Sequence, residues 1–564
     1  MSETSSYVCG TSVEPLLYKT VGVALEEATA RWPECDAVIV SHQKIRRSYR
    51  QFNNAVDCLA AGLLHLGLTV GDRIGIWSPN CYEWVLIQFA SAKAGLILVN
   101  INPAYRSSEL EFVLNKVGCK ALVLAPSFKT TDYVAMLYQI APELRTQSAN
   151  DLHLIRLPAL RFLILIDTEP PSGFLAFDGV ESLNTSTDFT KVEMLRSILQ
   201  SEDSVNIQFT SGTTGTPKGA TLSHHNIVNN GYFVARRMRF SQTDRLCIPV
   251  PLYHCFGMVM GVLGCVTHGA AMVFPAAGFD PQSVLETVAQ EECTALYGVP
   301  AMFVAELQHP EFHRYNLSTL RTGVMAGAPC PVELMKSVIA QMHLREITIC
   351  YGMTETSPVS FQSHCDDVIE RRVSTVGTVH PHVEVKIVDA DGKTVPCGKQ
   401  GELLTRGYSV MQGYWDEPQK SRETIDQRGW MHTGDLATLD DQGYCQIVGR
   451  LKDLIIRGGE NISSREIEEF LYRHPKIQEA QVFGIPDPRY GEVVCAWIIL
   501  KTDELCDAEA VRDFCAEQIA HYKVPQHIRF VSEFPMTVTG KIQKFVMRER
   551  MIEELNLQIE RGRI

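Results

Sequence analysis

The sequence predicts an α/β protein. A large N-terminal domain of helix-covered, mostly parallel sheets (1–450) carries a small β subdomain (376–447), and a small α+β C-terminal domain (451–564) follows. Three observations lead there. Strand-like and helix-like stretches alternate through the first half, as crossover units of a parallel sheet require. After Val376 that alternation gives way to short strands separated by Gly-containing turns. After Arg450 a new α+β pattern begins, long enough for an independent domain.

Taken in order, Ser48 is placed to cap a helix whose Phe52, Val56, Leu59 and Leu63 recur on one face, with Gly67 as its stop. Arg73 to Trp77 reads as a strand, Cys81 to Lys93 as a helix ended by Gly95, and Ile97 to Asn100 as a strand. Ser107 to Val117 is helical and Ala121 to Leu124 strand-like. Leu246 to Phe279 contains no charged residue, which is long enough for a membrane span. Pro249, Pro251, His254, His268 and Pro275 interrupt it, with Gly257, Gly261, Gly264 and Gly269, so buried strands and a helix are expected, with no transmembrane segment. The region is rich in turn pairs, among them Asp391-Gly392, Arg428-Gly429 and Gln442-Gly443, with short strands such as Val383–Val388 and Glu402–Thr405 between turns of the β subdomain. Beyond the link Gly449-Arg450-Leu451-Lys452-Asp453 come a helix from Ser464, strands near Gln481–Ile485 and Val493–Leu500, a helix from Asp507 and a helical stretch Phe545–Met551.

Charge excludes one class of partner. The net charge is −13 with no compact basic block, so nucleic acid, whose binding depends on clustered Lys and Arg, is not an expected ligand. The 17 Cys contain no C-x-x-C pair and no zinc-ligand spacing, which reads as reduced, mostly buried thiols in an intracellular protein. Before Lys19 there is no Lys or Arg, and Glu3 and Glu14 are acidic. A mitochondrial presequence is basic and poor in acids, so the N-terminus favours a cytoplasmic residence, with the mitochondrial matrix as the alternative.

The strongest local feature is Phe209-Thr210-Ser211-Gly212-Thr213-Thr214-Gly215-Thr216-Pro217-Lys218-Gly219. Gly lets backbone N–H groups approach an anion closely, while hydroxyls and Lys218 add donors, so a polyphosphate is the natural ligand. It is not a Walker A loop, because Gly219 stands where that motif needs the Mg²⁺-binding hydroxyl.

With Tyr351-Gly352-Met353-Thr354-Glu355, Thr433-Gly434-Asp435, Gly449-Arg450 and Thr539-Gly540-Lys541, this loop resembles the motif series of the adenylate-forming enzymes, which include acyl-CoA synthetases, luciferases and peptide-synthetase adenylation domains. Pro251-Leu252-Tyr253-His254, Arg457-Gly458-Gly459-Glu460-Asn461-Ile462 and Gly540-Lys541-Ile542-Gln543-Lys544 look most like medium-chain fatty acyl-CoA ligases. The resemblance implies two steps with Mg·ATP, a fatty acid and coenzyme A as small-molecule substrates. A carboxylate attacks the α-phosphate to give acyl-adenylate and pyrophosphate, and the CoA thiol then displaces AMP. Both reactants of the first step are anions, so the site must concentrate cations and donors.

By the same resemblance Lys541 is the catalytic cation of adenylation, Glu355 with Thr210 holds Mg²⁺, and Asp435 and Arg450 bind ribose and phosphate. Thr210 to Lys218 cradle the phosphates. Gly327, Ala328 and Tyr351, with Thr354, form the adenine segment. Lys452 is the hinge of a mobile C-terminal lobe, and Gly458 and Gly459 let the pantetheine arm pass. Taken without the family, Asp435 also reads as a helix N-cap and Arg450 as one half of a surface ion pair. His254, Phe256, Met258, Val299, Met302 and Phe303 suit an acyl tail. The alternatives are an aryl or cinnamate-like acid as substrate, and a non-catalytic AMP-binding sensor.

Overall fold

The structure is a computed structural model that describes residues 4–150, 152–210, 217–328, 330–457, 460–502, 504–516, 518–536, 542–555 and 557. The chain forms two compact units. The larger comprises Cys9–Glu384 and Thr405–Met431, the smaller Met1–Val8, Val385–Leu404 and His432–Ile564.

The larger unit is built on two sheets covered by helices. Its eight-stranded sheet runs Leu175–Ala176, Phe162–Leu165, Ala121–Leu124, Arg73–Trp77, Ile97–Asn100, Ser204–Thr210, Lys218–Ser223, Gly413–Tyr414. Pairing is parallel as far as Ser204–Thr210 and antiparallel for the last two strands. The nine-stranded sheet has a parallel centre containing Ala295–Gly298, Thr322–Ala326 and Glu346–Gly352, with antiparallel strands at its ends. The local readings hold where chemistry is local. Ser48 caps the helix Tyr49–His65 by accepting from Gln51 N–H while the Gln51 side chain accepts from Ser48 N–H. Arg73–Trp77, Ile97–Asn100, Ser107–Val117 and Ala121–Leu124 are found as read.

The uncharged run from Leu246 is buried, as expected, but its helix is wider than an α-helix. Phe256–Leu263 is a π-helix that continues as the short α-helix Gly264–His268. A π turn is uncommon and needs outside support. Gln88 Nε2 donates to Met258 O at 3.1 Å and Tyr297 OH to Met260 O at 3.2 Å. Gly231 of the helix His224–Arg237 adds close backbone approach, since a Cβ there would lie 2.9 Å from Val259 O. Among the described residues no helix is long and apolar enough to cross a membrane. The 17 Cys are free thiols, most of them buried.

A third apolar cluster lies against the nine-stranded sheet and includes Leu285, Phe303, Met325 and Met335. The helix Pro300–Leu307 also sends Glu306 inward; it is 1 % exposed, and neither carboxyl oxygen has a hydrogen-bond partner among the described residues. Burial pushes the pKa of this carboxyl well above its ordinary value.

The smaller unit holds a five-stranded sheet in the order Tyr7–Cys9, Val383–Val388, Gly401–Gly407, Met431–Leu439, Cys445–Arg450. A second sheet contains Glu460–Ser463, Leu454–Arg457, Gly491–Leu500 and Ile477–Asp487, with His527–Phe530 added parallel to Gly491–Leu500. The helices Ser464–Leu471, Ala508–Ala516 and Lys544–Glu554 accompany it. Asp507 caps the second helix by accepting from Ala510 N–H at 2.8 Å.

Candidate active site

The glycine- and threonine-rich loop joins two antiparallel strands, Ser204–Thr210 and Lys218–Ser223, with Thr210 and Lys218 as facing partners. Lys218 therefore opens a strand, whereas a Walker A lysine lies at the start of a helix, so the P-loop reading is excluded by topology as well as by Gly219. Ser211, Gly212, Thr213, Thr214, Gly215 and Thr216 lie outside the described residues; Pro217 and Lys218 are half-buried at the loop's end. The Lys218 ammonium lies 4.9 Å from the centre of the Tyr414 ring, a cation–π distance.

Glu355 arrives from the other sheet. It lies in the 3₁₀ turn Thr354–Thr356 that follows the strand Glu346–Gly352. That turn closes tightly: a Cβ on Gly352 would stand 1.7 Å from Pro358 O, so only glycine fits. Met411 N–H donates to Glu355 O at 2.9 Å and fixes the backbone. The Glu355 Oε1 atom then accepts from Tyr414 OH at 2.9 Å and, weakly, from Thr210 Oγ1 at 3.4 Å. Burial, then the Glu355 carboxylate, push the Tyr414 phenol up, so it remains a hydrogen-bond donor at neutral pH. Thr210, Glu355, Lys218 and Tyr414 thus form one corner where two sheets meet. Tyr414 belongs to none of the motifs, and sequence reasoning missed it; its one signal was the Gly413-Tyr414 pair just after a turn.

This corner suits Mg²⁺ carried by a polyphosphate. Mg²⁺ takes one or two protein carboxylates and fills its remaining positions with phosphate oxygens and water. Glu355 with the neighbouring Thr210 hydroxyl is such a donor set. Among the described residues no cluster of three or more carboxylate, imidazole or thiol groups offers a cage made of protein alone.

Behind Thr210 the same strand face carries Gln208 and Asn206, because alternate residues share a face. Gln208 Nε2 donates to Asn206 Oδ1 at 2.9 Å, and Asn206 Nδ2 to Asn100 Oδ1 at 2.9 Å. Gln208 and Asn100 both direct an amide N–H to Met258 Sδ at 3.1 Å. Met258, read from sequence as suiting an acyl tail, is 1 % exposed and receives two amide donors. Phe303 is likewise fully buried, against Gly298.

Gly327 and Ala328 follow the strand Thr322–Ala326, whose Ala326 pairs in parallel with Cys350. That register places them beside Tyr351, at the carboxyl ends of adjacent parallel strands, where α/β sheets bind ligands. Gly327 turns the chain there with φ +88°, in the left-handed region that favours glycine. Both residues are exposed; Tyr351 and Thr354 are half-buried.

In the smaller unit Asp435 lies on the strand Met431–Leu439 directly opposite Arg450 of Cys445–Arg450. The helix-cap reading of Asp435 fails, because its neighbours form a β ladder. Asp435 is 3 % exposed, and Arg450 Nε donates to its Oδ1 at 2.9 Å. The Thr433 hydroxyl steadies the approach, accepting from Asp435 N–H at 3.1 Å and donating to Leu403 O at 2.7 Å. Lys452 is exposed in the 3₁₀ turn Leu451–Asp453. Lys541, Gly458 and Gly459 lie outside the described residues.

A corner of hydroxyl, carboxylate and ammonium groups where two α/β sheets meet, followed in sequence by a small α+β unit, defines a class. The chain belongs to the AMP-binding enzyme family, which matches residues 25–415, and the AMP-binding enzyme C-terminal domain matches 466–541. It is 48 % identical over 557 residues to medium-chain acyl-CoA ligase ACSF2, mitochondrial, of Danio rerio, covering 98 % of this chain and 92 % of that protein. The Homo sapiens protein of the same name is 45 % identical, with 98 % and 91 % covered. A putative acyl-CoA synthetase, YngI, of Bacillus subtilis is 46 % identical, with 96 % and 99 % covered. Among solved structures, the anthranilate CoA ligase AuaEII in complex with anthranoyl-AMP superimposes with a TM-score of 0.82 at 27 % identity, covering 97 % of this chain and 99 % of that one. ATP-bound MatB from Rhodopseudomonas palustris does so with a TM-score of 0.80 at 26 % identity, covering 95 % and 99 %.

Proposed function

We propose that this AMP-binding enzyme is an acid–thiol ligase, an AMP-forming acyl-CoA synthetase acting on medium-chain fatty acids. The observation that carries the reading is likeness over nearly the whole chain to ligases named for that reaction. The Thr210–Glu355–Lys218 corner supports it with the donors a polyphosphate needs.

In this reading Mg·ATP is bound by the Thr210–Lys218 loop, and Asp435 accepts ribose hydroxyls, with Arg450 as a further donor. Glu355, oriented by Tyr414, and Thr210 would hold Mg²⁺, which supplies charge neutralisation at the phosphates. Gly327, Ala328 and Tyr351 flank the adenine. The fatty carboxylate displaces pyrophosphate from the α-phosphate, and Lys541 stabilises the charge that builds on the oxygens around phosphorus. The CoA thiol then attacks the acyl carbonyl, AMP leaves, and the thiol proton is lost to solvent. The domain carrying Lys541 is taken as 451–564, turning at Lys452, because one small domain must serve two steps with different partners. The relatives are named as mitochondrial, so the matrix replaces the cytoplasmic expectation as our reading of location.

The test is CoA-dependent AMP release over straight-chain acids of increasing length, with an aryl acid for comparison. Highest kcat/KM at medium chain lengths is expected. A preference for the aryl acid would overturn the substrate class. No pyrophosphate from any acid would return the chain to a nucleotide-binding sensor.

A further inference from the structure

Immediately beyond Lys541 the chain makes a pairing that helix formation alone disfavours. Lys544 is the first residue of the helix Lys544–Glu554. A cation there faces the positive end of the helix dipole, where a carboxylate would be preferred. Its ammonium donates to Glu468 Oε1 at 2.6 Å, across 76 residues of sequence. Glu468, on the helix Ser464–Leu471, is 9 % exposed, and the same oxygen accepts from Val482 N–H at 2.8 Å. Each charge is unfavourable where it stands, and each is compensated by the other.

The pair belongs to a larger anchor. Met536 and Ile542 form an antiparallel bridge, and Gln543 N–H donates to Pro535 O at 2.8 Å. Met547 and Met551 are buried against Phe483, Trp497 and Phe534. Lys541 lies outside the described residues; it is bonded in sequence to Ile542, so the fixed segment 542–544 is the tether through which the chain leads to it.

We propose that the Glu468–Lys544 pair is a positioning device for Lys541 in adenylation. The pair touches no substrate; it acts by fixing the segment from Ile542 onward that is bonded to the cation-bearing residue. The proposal rests on the reading of Lys541 given above.

Its test separates the two half-reactions: single-turnover pyrophosphate formation from acid and Mg·ATP without CoA, and thioester formation from supplied acyl-AMP with CoA. Glu468→Gln keeps a carbonyl oxygen for Val482 N–H, Lys544→Met removes the charge from the other side, and Lys544→Arg restores it. Small displacements of a catalytic group cost up to about a hundredfold. The first two variants should therefore slow pyrophosphate formation about ten- to a hundredfold and leave thioester formation within about twofold, whereas Lys544→Arg, which keeps the charge, should retain near-parent rates in both. Equal slowing of both half-reactions would reduce the pair to a structural brace, and unchanged pyrophosphate formation in a folded variant would also overturn the proposal. If Glu468→Gln fails to melt cooperatively, Lys544→Met decides. Absence of pyrophosphate formation in the unaltered enzyme would indict the functional reading, not the pair.

Discussion

Lys218 and Lys541 adjoin segments that the chain anchors in opposite ways. Lys218 closes a hairpin inside a continuous sheet: its strand is paired with Ser204–Thr210 on one side and Gly413–Tyr414 on the other. The chain from Ile542 onward is held by an isolated bridge to Met536 and by one partly buried ion pair across 76 residues. A ladder spreads its load over many backbone hydrogen bonds, so Thr210 and Lys218 are held in register and tolerate single side-chain losses around them. The second anchorage depends on a few side chains, which leaves it open to single substitutions.

That contrast is sharpest in the largest expected effect. Lys541→Ala should lower the rate of pyrophosphate formation by a hundredfold or more, about 3 kcal/mol on the scale of a lost transition-state donor, while supplied acyl-AMP is still converted to thioester. An unaltered adenylation rate would break the comparison. Next, Glu355→Gln should slow adenylation by some tens-fold and raise the Mg²⁺ concentration needed for half-maximal rate; a titration with an unchanged midpoint would remove Glu355 from the metal. Tyr414→Phe deletes one hydrogen bond to that carboxylate and should cost only about three- to tenfold, roughly 1 kcal/mol. A loss as large as that of Glu355→Gln would show that the ladder does less, and Tyr414 more, than the contrast allows.

The smallest effect concerns stability. Burial raises the folded pKa of Glu306 well above the unfolded value. Stability linked to this group is present below the unfolded carboxyl pKa, near 4.3, and is lost as pH rises toward the folded one, by up to about 1.4 kcal/mol per pH unit. Glu306→Gln removes that slope, and its advantage in melting temperature over the parent should be larger at pH 7.5 than at pH 5. The same difference at both values would mean that the carboxyl finds a partner.

Legibility in the sequence followed the range of the interactions. The Ser48–Gln51 capping box and the strand Arg73–Trp77 depend on neighbours in sequence and were readable to the residue. Thr210, Lys218 and Glu355 were readable because their motifs are contiguous. Asp435 was open to misreading as a cap because its role comes from a cross-strand partner, and no local pattern announces a ladder. Tyr414, 59 residues from Glu355, and Glu468, 76 from Lys544, left no local trace at all. The π-helix at Phe256 was hidden for a similar reason, since Gln88 and Tyr297, remote in sequence, hold its carbonyls.

Because Asn206, Gln208 and Thr210 share one side of a single strand, their order is also a matter of parity. One extra residue between Gln208 and Thr210 would turn the threonine to the opposite side and part the amide chain from the hydroxyl it now leads to. Two extra residues would restore the facing but carry Thr210 about 7 Å along. The strand can thus accept many exchanges of side chain and almost no change of length.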